Sequence, residues 1–146
     1  MNKTIIAIYG RSKEGKSETI KNIASIFEKQ IAHATVNYLI NSGDILAIVT
    51  LGNIKIGLES QGDPNSRMIN DNTIQQLINM GCEIIVCASR TEGMTVAKVD
   101  DLASRNGFNT LWKSSYYTNG LNYGNVNMIA AEETIKLIQS IIVARI

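Results

Sequence analysis

One histidine, His33, leaves no histidine-centred triad and no His-rich metal site to build. Only two cysteines are present, Cys82 and Cys87. Their spacing within one apolar run leans them toward opposite faces of a strand, which excludes a mutual disulfide or a paired metal ligation. They read as buried free thiols in a reducing cytoplasm. No Lys/Arg block stands out and the net charge is only +1, so a general nucleic-acid surface is excluded. A single proline, and no tract of one composition, exclude a low-complexity linker, and no internal repeat is visible. Long apolar runs are missing too. Ile5 to Tyr9 is too short for a signal-peptide core, and Ile138 to Ile146 is broken by Gln139, Ser140 and Arg145. The expectation is therefore one soluble domain over residues 1–146, cytoplasmic and without membrane attachment.

Against these absences stands one complete pattern. Residues 10 to 17 read Gly-Arg-Ser-Lys-Glu-Gly-Lys-Ser, that is G-x-x-x-x-G-K-[ST]. A chain of this length shows the bare pattern by chance on the order of 1% of the time or less. The run Thr4–Tyr9 before it reads as a buried strand. Glu18 to Ile31 behind it reads as a helix, with Ile20, Ile23, Ala24, Phe27 and Ile31 on one face. Gly10 and Gly15 are expected to take torsions that a Cβ would forbid, turning successive N–H groups around phosphate oxygens. The helix N-terminus adds its positive dipole end. The expected cradle comprises Gly10, Arg11, Ser12, Lys13, Glu14, Gly15, Lys16, Ser17 and Glu18. Lys16 reaches the terminal phosphates and the Ser17 hydroxyl ligates Mg²⁺.

The remaining elements follow from periodicity and turn chemistry. Val36 to Ile40 is apolar but of undecided type. Asp44–Leu51 and Ile54–Glu59 read as strands joined by Gly52-Asn53, a hairpin signal. Ser60 to Ser66 is a loop. A helix is expected over about Asp71 to Met80, stopped by Gly81. Glu83–Ala88 is a strand and Ser89–Met94 a loop. Thr95 caps a short helix that Asn106-Gly107 closes, and Phe108–Lys113 is the last strand. Tyr116–Asn127 is a long loop, and a helix from near Asn127 buries Met128, Ala131, Ile135, Ile138 and Ile142. The fold class is therefore α/β. The expectation is a mostly parallel sheet of about five strands with one antiparallel hairpin strand and helices on both faces. Ligands of such sheets sit beyond the carboxyl ends of the strands, where the phosphate loop, Glu59–Asp63, Ser89–Met94 and the loop after Lys113 share one rim.

With this motif in this setting, the chain resembles a small P-loop NTPase. The hairpin followed by Glu59-Ser60-Gln61-Gly62 is similar, more weakly, to the strands that lead into the Asp-x-x-Gly switch of a small GTPase, with Glu in place of Asp. The resemblance implies that Glu59 holds the Mg²⁺ shell and that the Gly62 N–H senses the γ-phosphate. The chain departs from that family in two places. After the later strand stands Ala88-Ser89-Arg90-Thr91 rather than [NT]-K-x-D, which favours ATP over GTP. No strand ends in a hydrophobic run plus Asp, which weighs against robust hydrolysis more than against binding.

Among the other rim residues, Arg90 follows directly on a buried strand, where a guanidinium could clamp a phosphoryl group. Catalytic candidates are thus Lys16, Glu59 and Arg90, and metal ligands Ser17 and Glu59. Asp63 competes for the metal but reads better as a turn residue before Pro64. Tyr116, Tyr117 and Tyr123, with Asn119, Asn122 and Asn125, could border the base or simply build a loop. The expected activity is binding of a nucleoside triphosphate, with Mg²⁺-dependent hydrolysis or nucleotide-controlled switching read by a protein partner. The alternative is a kinase passing the γ-phosphate to a small acceptor. For that, five scattered arginines form no lid, and Arg67 and Arg90 are the only plausible clamps.

Overall fold

Alternating apolar side chains and buried runs build a six-stranded sheet between two layers of helices in the computed structural model, which describes Met1–Ile146. The elements in order are β1 (Thr4–Tyr9), α1 (Lys16–Gln30), β2 (Ala34–Ser42), β3 (Asp44–Leu51), β4 (Ile54–Glu59), α2 (Arg67–Asn70), α3 (Thr73–Asn79), β5 (Ile84–Ser89), α4 (Met94–Asn106), β6 (Asn109–Ser114) and α5 (Tyr123–Ile142). The strand order is β2-β3-β4-β5-β1-β6.

The sheet is mixed, which corrects the expectation of a mostly parallel sheet of about five strands. β4, β5, β1 and β6 pair in parallel, whereas β2–β3 and β3–β4 are both antiparallel. The extra strand is β2, built from the stretch around Val36 to Ile40. Its residues alternate between half-buried and exposed, the signature of an edge strand covered on one side only. Gly52-Asn53 turns the expected hairpin between β3 and β4, and a second, unexpected turn at Gly43, with φ +91°, folds β2 onto β3.

Period-two alternation divides the apolar residues between the two faces. Ile6, Ile8, Ile45, Ala47, Val49, Ile56, Leu58, Ile84 and Val86 pack with the buried faces of α1 and α5. Ile5, Ala7, Leu46, Ile48, Ile85 and Cys87 face Met68 of α2, Ile74 and Leu77 of α3, and Val99 and Leu102 of α4. Each such aliphatic side chain contributes about 1.5–3 kcal/mol when fully buried, so both layers are needed to hold the sheet. Both cysteines are buried and free; burial pushes the Cys82 thiol up to about 11 and Cys87 further in the same direction. No helix is long and apolar enough to cross a membrane.

Helix boundaries shift for identifiable reasons. α1 starts two residues early, at Lys16, because Gly15 in the left-handed region (φ +76°) serves as its N-cap. The expected helix at Asp71 is preceded by a separate turn, α2, and Asn72 at φ +54° breaks the two apart. Thr95 does not cap α4, whose N-cap is Gly93; its hydroxyl instead accepts the Arg90 N–H at 3.0 Å. α5 begins at Tyr123, capped by the Asn122 side chain accepting from the Asn125 N–H, so the long loop is shorter than expected.

Candidate functional site

The loop between β1 and α1 forms the floor of a cleft of about 430 Å³ at the carboxyl end of the parallel strands. That volume lies in the range of small-molecule sites. Ser12, Lys13, Glu14, Gly15, Lys16, Ser17 and Glu18 line it, with Gly62 opposite. The backbone N–H groups of Lys13 to Glu18 find no acceptor in the chain; the first helical bond is Thr19 N–H to Gly15 O at 2.9 Å. A row of free N–H groups at a helix N-terminus is an anion cradle. Only one of the two expected glycine torsions is present. Gly15 is left-handed and Gly10 is not; a Cβ at Gly10 would meet the Ser115 hydroxyl, which would have to turn away. Lys13 takes the second left-handed position, at φ +63°. Gly10 and Arg11 lie on the outer flank of the loop, in a second groove shared with Thr91 and Tyr117.

Lys16 is 7% exposed, and its Nζ donates to Gly10 O at 2.5 Å and to Ser89 O at 3.0 Å. Its pKa is lowered, first by burial and then by the nearby Arg90 charge, against the pull of Asp63 and Glu14. An anion in the cleft opposes both lowering causes.

The acid that meets the Ser17 hydroxyl is Asp44, at the start of β3. Ser17 Oγ donates to Asp44 Oδ1 at 2.6 Å, and Ser60 Oγ donates to the same oxygen at 2.9 Å. Ser60 is itself pinned to β3, its hydroxyl accepting the Ile45 N–H at 2.8 Å and its N–H reaching Ile45 O at 3.0 Å. Burial works to raise the Asp44 pKa, but hydrogen bonds from Ser17 and Ser60, the nearby Gln61 side chain and the charge of Lys21 outweigh it, so the carboxylate sits below its ordinary value. Asp44 lines the cleft with Ser17, Ser60, Gln61 and Asp63.

Glu59 is not at this site, which corrects its expected place beside the metal and in catalysis. Ile56 and Leu58 face α1, so the next odd position turns to the opposite side of the sheet. There the Glu59 carboxylate is fully buried and accepts four bonds. Arg67 Nε and Nη2 donate at 3.1 and 2.9 Å, the Thr73 hydroxyl at 2.6 Å and the Gln61 N–H at 3.0 Å. Burial pushes its pKa up, while Thr73, Gln61 and Arg67 pull it down. With its lone pairs taken, it ties β4 to α2 and α3.

Arg90 reaches over the cleft rim rather than lining it. Its Nε and Nη2 both donate to Asp63 Oδ1, at 3.0 and 2.7 Å. Gly62, beside Asp63, packs so tightly that a Cβ would collide with the Ala88 carbonyl at the end of β5. Of the loop aromatics, Tyr123 lines the main cleft and Tyr117 the outer groove, whereas Tyr116 is turned to Glu133 at 2.8 Å. Asn119, Asn122 and Asn125 line neither, and Asn127 takes their place in the cleft.

Asp44, Ser60 and Asn127 are the polar cleft residues that sequence reasoning missed. Asp44 was visible only as the first residue of a strand. Ser60 follows Glu59 and by parity returns to the α1 side, a signal that was available. No group of three or more His, Cys, Asp or Glu side chains is placed to hold a metal alone. The donor set fits Mg²⁺ nonetheless, because that ion takes one or two protein oxygens and completes its shell with water and phosphate. No family model and no curated protein sequence matches the chain.

Proposed function

We propose that this chain binds a nucleoside triphosphate with Mg²⁺, ATP in preference to GTP, and works as a slow hydrolase or nucleotide-controlled switch. The observation that carries this reading is the Ser17–Asp44 pair at 2.6 Å beside Lys16 and a row of unpaired N–H groups. Phosphate oxygens take the N–H groups, and Lys16 exchanges its carbonyl partners for the terminal phosphates. Ser17 Oγ and Asp44 would hold Mg²⁺, with Ser60 fixing the Asp44 carboxylate in place. The ion, when bound, offsets negative charge on the terminal phosphates. The preference for ATP rests on Ala88-Ser89-Arg90-Thr91, which supplies no carboxylate to pair with guanine.

The chain's own groups favour slow turnover. Hydrogen bonds hold the Asp44 carboxylate below its ordinary pKa, which makes it a weak base toward water. The loop from Ser60 to Ser66 touches both the metal end, through Ser60, and Arg90, through Asp63. That linkage suits a segment whose position reports the terminal phosphate to a protein partner. The kinase reading is weaker, since one of its two arginine clamps, Arg67, is committed to Glu59.

Calorimetric titration of MgATP and MgGTP into wild type and Lys16→Ala, with phosphate release followed in parallel, tests the proposal. Binding in the micromolar range, lost in the variant and tighter for ATP, is the expected result. Absence of binding of either nucleotide to folded wild type overturns it.

A further inference from the structure

The sheet ends in two edge strands, and they are not alike. β6 is six residues long and carries Lys113, a charge of the kind that keeps sheet edges apart. β2 is nine residues long and contains neither a charge nor a proline. Alternate N–H and C=O groups of β2 point away from β3 and have no strand to meet. Its α1-side residues are covered only in part. Ala34, Val36 and Tyr38 pack against the core and stay half-exposed.

The pattern along this edge is its own complement. A second copy laid antiparallel about a two-fold axis at Val36 sets Ala34 across from the copy's Tyr38, and Val36 across from itself. Residues directly opposite share a face, so small meets large on the α1 side. Thr35 meets Asn37 on the other side, where both are exposed. The bulge between Tyr38 and Ile40 turns Ile40 toward the opposite core and ends the straight segment at Tyr38, which limits the pairing to one register. Charge agrees with this arrangement. The last turn of α1 carries Lys29 and Glu28, the latter held at the edge by the Tyr38 hydroxyl, which donates to it at 3.0 Å. Both are exposed, and a two-fold copy presents the same pair in reverse order, so each carboxylate can meet the copy's ammonium.

We propose that β2 is the contact between two copies of this chain, which pair Ala34–Tyr38 antiparallel and join their sheets into one. A strand of unrelated sequence has no need of a palindromic edge, which is why the occupant is a second copy. The proposal does not depend on the nucleotide reading.

Sedimentation equilibrium of the ligand-free chain over a range of concentrations tests it, with melting recorded for each variant. Wild type should show a monomer–dimer equilibrium with a dissociation constant of about 1–100 µM, in keeping with a small interface. Thr35→Lys combined with Asn37→Lys sets like charges directly across from each other, and dimerisation should weaken at least about tenfold. Thr35→Glu combined with Asn37→Lys sets opposite charges across the same pairs and should restore it. A second measurement needs neither pair. Val36→Cys, at the two-fold, should cross-link two copies on oxidation, and Asn41→Cys, beyond the bulge, should not; the native Cys82 and Cys87 are buried. Wild type that stays monomeric up to about 0.1 mM overturns the proposal and leaves the edge to a strand of different sequence. So does a dimer indifferent to the lysine pair, one weakened equally by the Glu–Lys pair, or cross-linking through position 41 in place of 36.

Discussion

Asp44 and Glu59 stand at the same rim of the sheet, on neighbouring strands, yet they face different layers. Asp44 opens toward the cleft, held by two hydroxyls, with its carboxylate below its ordinary pKa. Glu59, one strand over, is sealed under α2 and α3 with Arg67 and Thr73. The contrast teaches that the side of the sheet a strand-end carboxylate turns to decides whether it opens to the cleft or is sealed under helices. The same acid group opens to a cleft on one face and braces helices on the other.

Substitutions at the two sites should separate stability from binding. The largest effect is expected from Glu59→Ala, which leaves the Arg67 guanidinium buried without its partner. Denaturant unfolding should show a loss of about 3–5 kcal/mol. MgATP affinity, measured on the folded fraction, should stay within twofold; an affinity loss would break the comparison by placing both acids at the metal. Asp44→Asn should do the reverse. It keeps the shape, and calorimetry should show MgATP weakened by about 10–100-fold, with little change when Mg²⁺ is chelated.

Acid titration sharpens the same contrast more gently. Asp44 ionises more readily in the folded chain than at its ordinary value of 3.8. Its contribution to stability is therefore fully present above that pH and is lost as pH falls through the lower folded value. In melts recorded from pH 6 downward, Asp44→Asn should flatten this part of the acid limb; an unchanged limb would show that Asp44 is not held as described. The smallest effect is expected at Arg90→Ala. Its partner Asp63 is 63% exposed, so unfolding should shift by less than about 1 kcal/mol. Phosphate release by the same variant reports whether the guanidinium is needed once nucleotide is bound.

Much of this contrast was legible in advance. Ile54, Ile56 and Leu58 alternate with Lys55, Gly57 and Glu59, so parity alone separates Glu59 from the residues that face α1. The motif resemblance points the other way, toward the metal, whereas Glu59 meets Arg67 and Thr73. Asp44 was harder. Its partner Ser17 lies 27 residues away, and nothing local indicates that the start of β3 reaches the start of α1. The stretch around Val36 stayed undecided because an edge strand with one solvated face carries only half of the apolar signal.

The sequence by itself determined the strand, loop and helix from Thr4 to Gln30, because backbone torsions, helix periodicity and the N-cap at Gly15 act within a few residues of one another. It also determined the β3–β4 hairpin, through the Gly52-Asn53 turn. Only the tertiary structure decided that β2 extends the sheet, that Asp44 rather than Glu59 meets Ser17, and that Asn127 closes on Gly15. Those pairings depend on strand order and on which helix covers which face. Many side chains distant along the chain settle both together, because each face is stable only when it is buried.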